Sequence, residues 1–125
     1  MNLLLDTHAL IWVFDANPKL SRFARDAISE GQNEVFVSAV TAWEIAIKRS
    51  LGKLELKGDY RRGLERYRFT PLSISTEHAL AVETLPQHHA DPFDRLLIVQ
   101  AQLENLTLVT RDGRFEAYDV ATLPA

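Results

Sequence analysis

The chain contains no cysteine. That excludes a disulfide framework, a thiolate metal site and a sulfur nucleophile, and it suits a reducing cytoplasm, the expected location. Glycine and proline number only five each, too few for a fibrous or low-complexity chain. Nowhere do about 18 apolar residues run on uninterrupted, and MNLLLDTHALIWVF opens without a basic leader, so neither a membrane span nor a signal peptide is expected. A basic surplus is also missing. The net charge of −3 argues against a generic nucleic-acid coat and confines any nucleic-acid role to a local surface. GxGxxG, GxxxxGK[ST], GxSxG and HExxH do not occur, which removes the common nucleotide cradles, a serine-hydrolase elbow and a helical zinc site.

What is present is 125 residues, 46% hydrophobic and 25% charged, enough to bury one core in a single domain spanning residues 1–125. Short apolar runs at 2–5, 35–37, 72–74 and 106–109, with a fifth at 118–120, alternate with longer segments of helical period. The helical segments are 8–14, 21–30, 40–51, 60–67, 77–85 and 92–104. That alternation predicts an α/β fold on a parallel sheet of four to five strands. Gly31, Gly52 and Asn105 stand where left-handed caps are expected, and Asn17-Pro18 breaks the first helix. The basic stretch 48–68 is interleaved with acids and reads as a solvated face.

In a parallel sheet every strand-to-helix junction lies on one edge, where ligands bind. Four acids fall at such junctions: Asp6 after the first strand, Glu44 early in the helix after EVFVS, Asp94 opening the helix 92–104, and Asp112 after LTLVT. Each has a plainer explanation. Asp91, followed by Pro92, can cap a helix with Asp94 closing the box, Thr41 and Glu44 fit a second capping box, and Asp6 and Asp112 can simply end strands. Direction argues otherwise for the helical pair. Asp94 lies in line with Leu97, Ile98 and Ala101, and Glu44 with Val40, Ile47 and Leu51, so both point along apolar stripes. Carboxylates ~4 Å apart repel by roughly 4 kcal/mol per pair at an effective dielectric near 20, so such a cluster needs protons or a cation. A hard ion, Mg²⁺ or Mn²⁺, is the expected cofactor, and in-line phosphodiester hydrolysis the expected chemistry. Thr7 and Thr110 flank the acids, either to hold a metal-bound water or as backbone-bonding turn residues. His89 is a candidate peripheral substrate contact.

LLLDTHALIW, SAVTAWEIAIKRSLGKL, HADPFDRLLIVQA and LTLVTRDGRF resemble the motifs of PIN-domain ribonucleases, specifically VapC-type toxins of bacterial toxin–antitoxin pairs. The resemblance spans nearly the whole chain. It implies a three-layer α/β/α sandwich, Mg²⁺- or Mn²⁺-dependent endoribonuclease activity, a homodimer and inhibition by a cognate antitoxin. The family's acids fall on Asp6, Glu44, Asp94 and Asp112; Asp91 is an additional acid, best explained as the helix cap, and His8 marks one branch of the family. Lys48, Arg49, Arg95 and Arg111 are the expected RNA contacts, gathered in a groove by dimerisation. The antitoxin is expected to cover Trp12, Phe14 and Phe23 and to bring a cation to the acids. Two competing readings are a non-catalytic PIN-like binding module and a haloacid-dehalogenase-like phosphatase, although DTH lacks the second Asp of a DxD pair.

Overall fold

Leu3 and Leu5 face one way and Leu4 the other, as the two-residue period of a strand dictates, and all three are fully buried. A strand apolar on both faces needs a helical layer on each. The computed structural model, which describes residues 1–125, provides both. Five parallel strands, β1 (Asn2–Leu5), β2 (Glu34–Ser38), β3 (Thr70–Leu72), β4 (Thr107–Thr110) and β5 (Thr122–Pro124), lie in the order β3-β2-β1-β4-β5.

The helices are α1 (Thr7–Phe14), α2 (Arg22–Ser29), α3 (Ala39–Ser50), α4 (Tyr60–Arg66), α5 (Thr76–Ala81) and α6 (Pro92–Glu104). On one face Leu3, Leu5, Val35, Val37 and Val109 pack with Leu10 and Ala24 of α1 and α2. On the other, Leu4 and Leu108 pack with Leu97 and Ile98 of α6 and with Phe115. This is the expected α/β/α sandwich.

Some expectations move. The third strand begins at Thr70, two residues early, and includes Pro71, which an edge strand tolerates. The fifth strand is Thr122–Pro124, not 118–120, because the Tyr118 side chain is 5% exposed and belongs to the core around Phe115. The segment 77–85 is a short helix followed by a 3₁₀ turn, Val82–Thr84. Gly52 (φ +69°) and Asn105 (φ +57°) take the left-handed conformation expected of them, whereas the positive φ after α1 falls on Ala16. Gly31 is not left-handed; α2 ends in extended backbone at Glu30.

Gly63 in α4 answers to packing. A Cβ there would lie 2.5 Å from Phe14 Cζ, and that ring is itself held between Tyr60 and Tyr67. Gly→Ala in a helix ordinarily stabilises by up to ~1 kcal/mol. Here we expect Gly63→Ala to destabilise by about 1–3 kcal/mol, as overpacking does. A urea melt with unchanged slope and a lower midpoint checks this; a higher midpoint contradicts it.

Candidate active site

The sheet changes direction at β1. The chain builds β2 and β3 to one side of it, then returns to lay β4 and β5 on the other. A crevice beyond the carboxyl ends of β1 and β4 is therefore the topological switch point, where this class of sheet binds ligands. Asp6 leaves β1 there and Asp112 lies just beyond β4.

Asp6 is more than a strand end. It caps α1, its Oδ1 accepting the Ala9 N–H at 2.8 Å, and it is only 6% exposed. Burial raises its pKa against the opposing hydrogen bonds from Thr110 and Ala9. Glu44 is also buried, but the capping box expected with Thr41 is absent. Ser38 caps α3, accepting the Val40 N–H at 3.0 Å, and Thr41 lies within the helix. The buried face of α3 is Val40, Thr41, Glu44 and Ile45, whereas Leu51, expected on the inward stripe, is exposed. Glu44 Oε1 accepts the Thr7 hydroxyl at 2.6 Å, and Oε2 pairs with Lys48 Nζ at 2.5 Å.

The two functions expected of residues 91–94 separate. Asp91 is the cap of α6, its Oδ1 accepting the N–H groups of Phe93 (2.9 Å) and Asp94 (3.1 Å), with Pro92 opening the helix. Asp94 accepts no backbone N–H. Its Oδ2 lies 3.4 Å from His89 Nε2 and 3.7 Å from an Arg114 nitrogen. Burial pushes its pKa up to about 7, reinforced by the charges of Asp91, Glu44, Asp6 and Asp112. Asp112 is held by Arg114 through a fork of hydrogen bonds, the shortest 2.6 Å, which lowers its pKa. Burial, aided by Arg114, lowers that of His89.

The structure thus gathers the four acids expected from the sequence at one edge of the sheet, with Asp6, Glu44 and Asp112 each near enough to Asp94 to act on it through charge. No three carboxylate or imidazole groups converge closely enough to enclose an ion as they stand. The donor set nevertheless fits a hard divalent cation. Every donor is a carboxylate oxygen; Lys48 is taken by Glu44, and Arg114, forked on Asp112, reaches Asp94 only at 3.7 Å, so five acids share two nearby cations. Asp6, Glu44, Asp94 and Asp112 are the residues that could hold such an ion. Thr7 and Thr110 flank the acids: the first donates to Glu44, and the second accepts the Asp112 N–H at 3.1 Å.

The expected RNA contacts are largely committed elsewhere. Arg95 is 5% exposed and donates to the carbonyls of Val82, Leu85 and Pro86 and to the Tyr118 hydroxyl. Arg111 stacks on Trp12 and donates to the carbonyls of Lys19 and Ala125. Lys48 neutralises Glu44. Of the four only Arg49, exposed in the last turn of α3, has no hydrogen bond or ion pair. His89, a candidate substrate contact, is instead buried behind Asp94. Arg114 and Tyr118 went unpredicted; Arg114 was detectable as a cation two residues after an acid, while nothing local marks Tyr118.

The sequence profile of the PIN domain matches residues 3–121. The chain belongs to the PIN domain family. Among solved structures it is similar to VapBC2 from Rickettsia felis bound to a promoter DNA fragment (17% identity, 98% of each chain covered, TM-score 0.73). It is also similar to a toxin–antitoxin complex from Klebsiella pneumoniae (22% identity, 98% and 96% covered, TM-score 0.68). A third such structure is DNA-bound VapBC from Salmonella typhimurium (18% identity, 98% and 97% covered, TM-score 0.68). No curated protein matches the chain. The haloacid-dehalogenase-like reading is displaced by the PIN assignment. No helix is long and apolar enough to cross a membrane.

Proposed function

We propose that the chain is a Mg²⁺- or Mn²⁺-dependent endoribonuclease of the VapC type, the toxin of a toxin–antitoxin pair acting in the cytoplasm. The observation that carries this is Asp94: a half-buried carboxyl whose pKa is raised to about 7 among four other acids at the switch point of a PIN fold. A site that accumulates negative charge around a group it does not use as a cap is built to receive a cation.

When bound, a divalent ion supplies an activated water and neutralises charge on the phosphodiester. The chain's own residues set up that chemistry. Capping by Asp91 fixes the first turn of α6, and so the backbone that carries Asp94. The Thr7 hydroxyl and Lys48 hold the two oxygens of Glu44, and Thr110 fixes the start of the loop that carries Asp112 by accepting its N–H. Arg49 remains for the RNA backbone.

The structural neighbours are complexes of toxin with antitoxin, and a groove of about 430 Å³ suits such a partner. Trp12, Val13, Pro18, Leu20, Ile28 and Tyr67 line it, while Phe23, 66% exposed on α2, is not part of its lining. Phe14 is not available there, since its ring packs under Gly63. The assembly is proposed to contain two copies of the chain.

Purified chain incubated with total cellular RNA and Mg²⁺ is expected to give discrete fragments, with none in EDTA and none after the antitoxin is added. Undiminished cleavage in EDTA contradicts the metal-dependent mechanism. Tight RNA binding without cleavage under any divalent ion favours the non-catalytic module.

A further inference from the structure

His89 is buried behind the acids, and its side chain, only 6% exposed, has a role that the proposed reaction does not use. Three groups meet at the Tyr118 hydroxyl. The Arg95 guanidinium approaches at 3.3 Å, the His89 backbone N–H at 3.2 Å, and the His89 ring Nδ1 at 2.9 Å. A guanidinium and a backbone amide can only donate, and a hydroxyl oxygen has two lone pairs. Both are thereby filled. The hydroxyl's own hydrogen must then go to Nδ1, which has to accept it, and the single proton of the neutral imidazole is left on Nε2. An imidazolium is excluded by the same count, because an Nδ1–H would meet an oxygen with no lone pair left.

The Nε2–H has no hydrogen-bond partner of its own and is buried, with Asp94 Oδ2 at 3.4 Å. The ring cannot swing to find another, since Tyr118 packs on it edge to face at 5.4 Å and Phe115 lies tilted against it at 6.1 Å. A buried donor with no other acceptor and a carboxylate oxygen 3.4 Å away, just beyond an aligned hydrogen bond, is placed to orient that carboxylate when the contact closes.

We propose that His89 is a positioning residue for Asp94: a neutral imidazole, locked by Arg95 and Tyr118 in the Nε2–H tautomer, that presents its N–H to Oδ2 and leaves Oδ1 as the oxygen free for a cation. His89 is therefore neither the base of the reaction nor a ligand, because its one acceptor nitrogen is occupied. This role rests on the metal-dependent reading of Asp94, whereas the tautomer does not.

Two measurements test it. In the metal-free protein, ¹⁵N NMR of the imidazole, assigned by its loss in His89→Gln, should show Nδ1 unprotonated and Nε2 protonated, and Tyr118→Phe should abolish that fixed preference. Mn²⁺ titration by calorimetry should then give an affinity at least about tenfold weaker in His89→Ala, as loss of a hydrogen bond behind a metal ligand does. His89→Gln, which keeps an N–H near the Nε2 position, should recover most of it. Protonation at Nδ1 overturns the proposal whatever the metal does. Equal Mn²⁺ affinity in wild type and His89→Ala overturns the positioning role and leaves the nuclease reading intact. A wild type that binds no Mn²⁺ overturns the metal reading, and the role of His89 with it, while the tautomer stands.

Discussion

Asp94→Asn is expected to slow single-turnover RNA cleavage by at least ~100-fold, a barrier increase of about 2.7 kcal/mol, without lowering the stability of the metal-free protein. The second half of that expectation comes from the division of labour in α6. Asp91, not Asp94, accepts the first-turn N–H groups, so the substitution removes no cap. It does remove a carboxyl that folding holds in an unfavourable place. With its pKa pushed up to about 7, the folded protein binds that proton more tightly than the unfolded chain, so this group's contribution to stability is present at acid pH and is lost as pH rises from about 4 through 7. Asparagine binds no such proton. Metal-free Asp94→Asn should therefore match wild type at or below about pH 4 and melt progressively higher than it as pH rises to about 7, with the gap levelling off above that. Adding Mg²⁺ should reverse the order, since only wild type gains. If the variant melts lower without metal and cleaves RNA at a near-normal rate, Asp94 is structural and the site assignment fails.

The largest stability effect is expected at Arg95. Its guanidinium lies in the core, where no carboxylate pairs with it. The carbonyls at the end of α5 and its 3₁₀ extension stand in for one, at the negative pole of that short helical segment. Truncation orphans the carbonyls of Leu85 and Pro86, leaves Val82 with only the Leu85 N–H, and opens a cavity. Hydrogen bonds to charged groups are worth about 1.5–3 kcal/mol and an orphaned buried acceptor costs about 1–3 kcal/mol. Because these losses overlap, we expect Arg95→Ala to cost roughly 3–4 kcal/mol, lowering the melting temperature by at least about 10 °C. Lysine should not rescue it, since a single ammonium cannot fork across three carbonyls. A phosphate-binding arginine would behave differently, leaving the melt unchanged while weakening RNA binding and flattening its salt dependence. That pattern would return Arg95 to the RNA surface.

The same residue shows where sequence reading reached and where it stopped. Arg95 follows Asp94 at a helix start beside the active edge, which is why its charge suggests RNA. Only the fold reveals that the 3₁₀ turn at Val82–Thr84 and the loop to Pro86 place their carbonyls around it. Strand-to-helix junctions, by contrast, are legible, because a parallel sheet forces them all to one edge. Asp6, Glu44, Asp94 and Asp112 could be placed on that edge from hydrophobic runs alone. α6 could be bounded at Pro92 and Glu104 because Asp91, Pro92 and Asn105 each leave a local signature. β5 could not. It pairs with β4 only, at the rim of the sheet, and its three residues include Pro124, so neither period nor propensity marks it. The partners of the acids were equally hidden. Lys48 lies four residues from Glu44 on one helix, where its charge alone suggests RNA, while the meeting of His89, Tyr118 and Arg95 joins positions up to 29 residues apart.

The most direct measurement of the central claim is where a metal ion binds. Crystals of the wild-type chain soaked in Mn²⁺ and measured for anomalous scattering should show a peak in the crevice beyond β1 and β4, coordinated by carboxylate oxygens drawn from Asp6, Glu44, Asp94 and Asp112, and the peak should weaken in Asp94→Asn. No peak there at saturating Mn²⁺, or a peak only at other surface acids, would contradict the account.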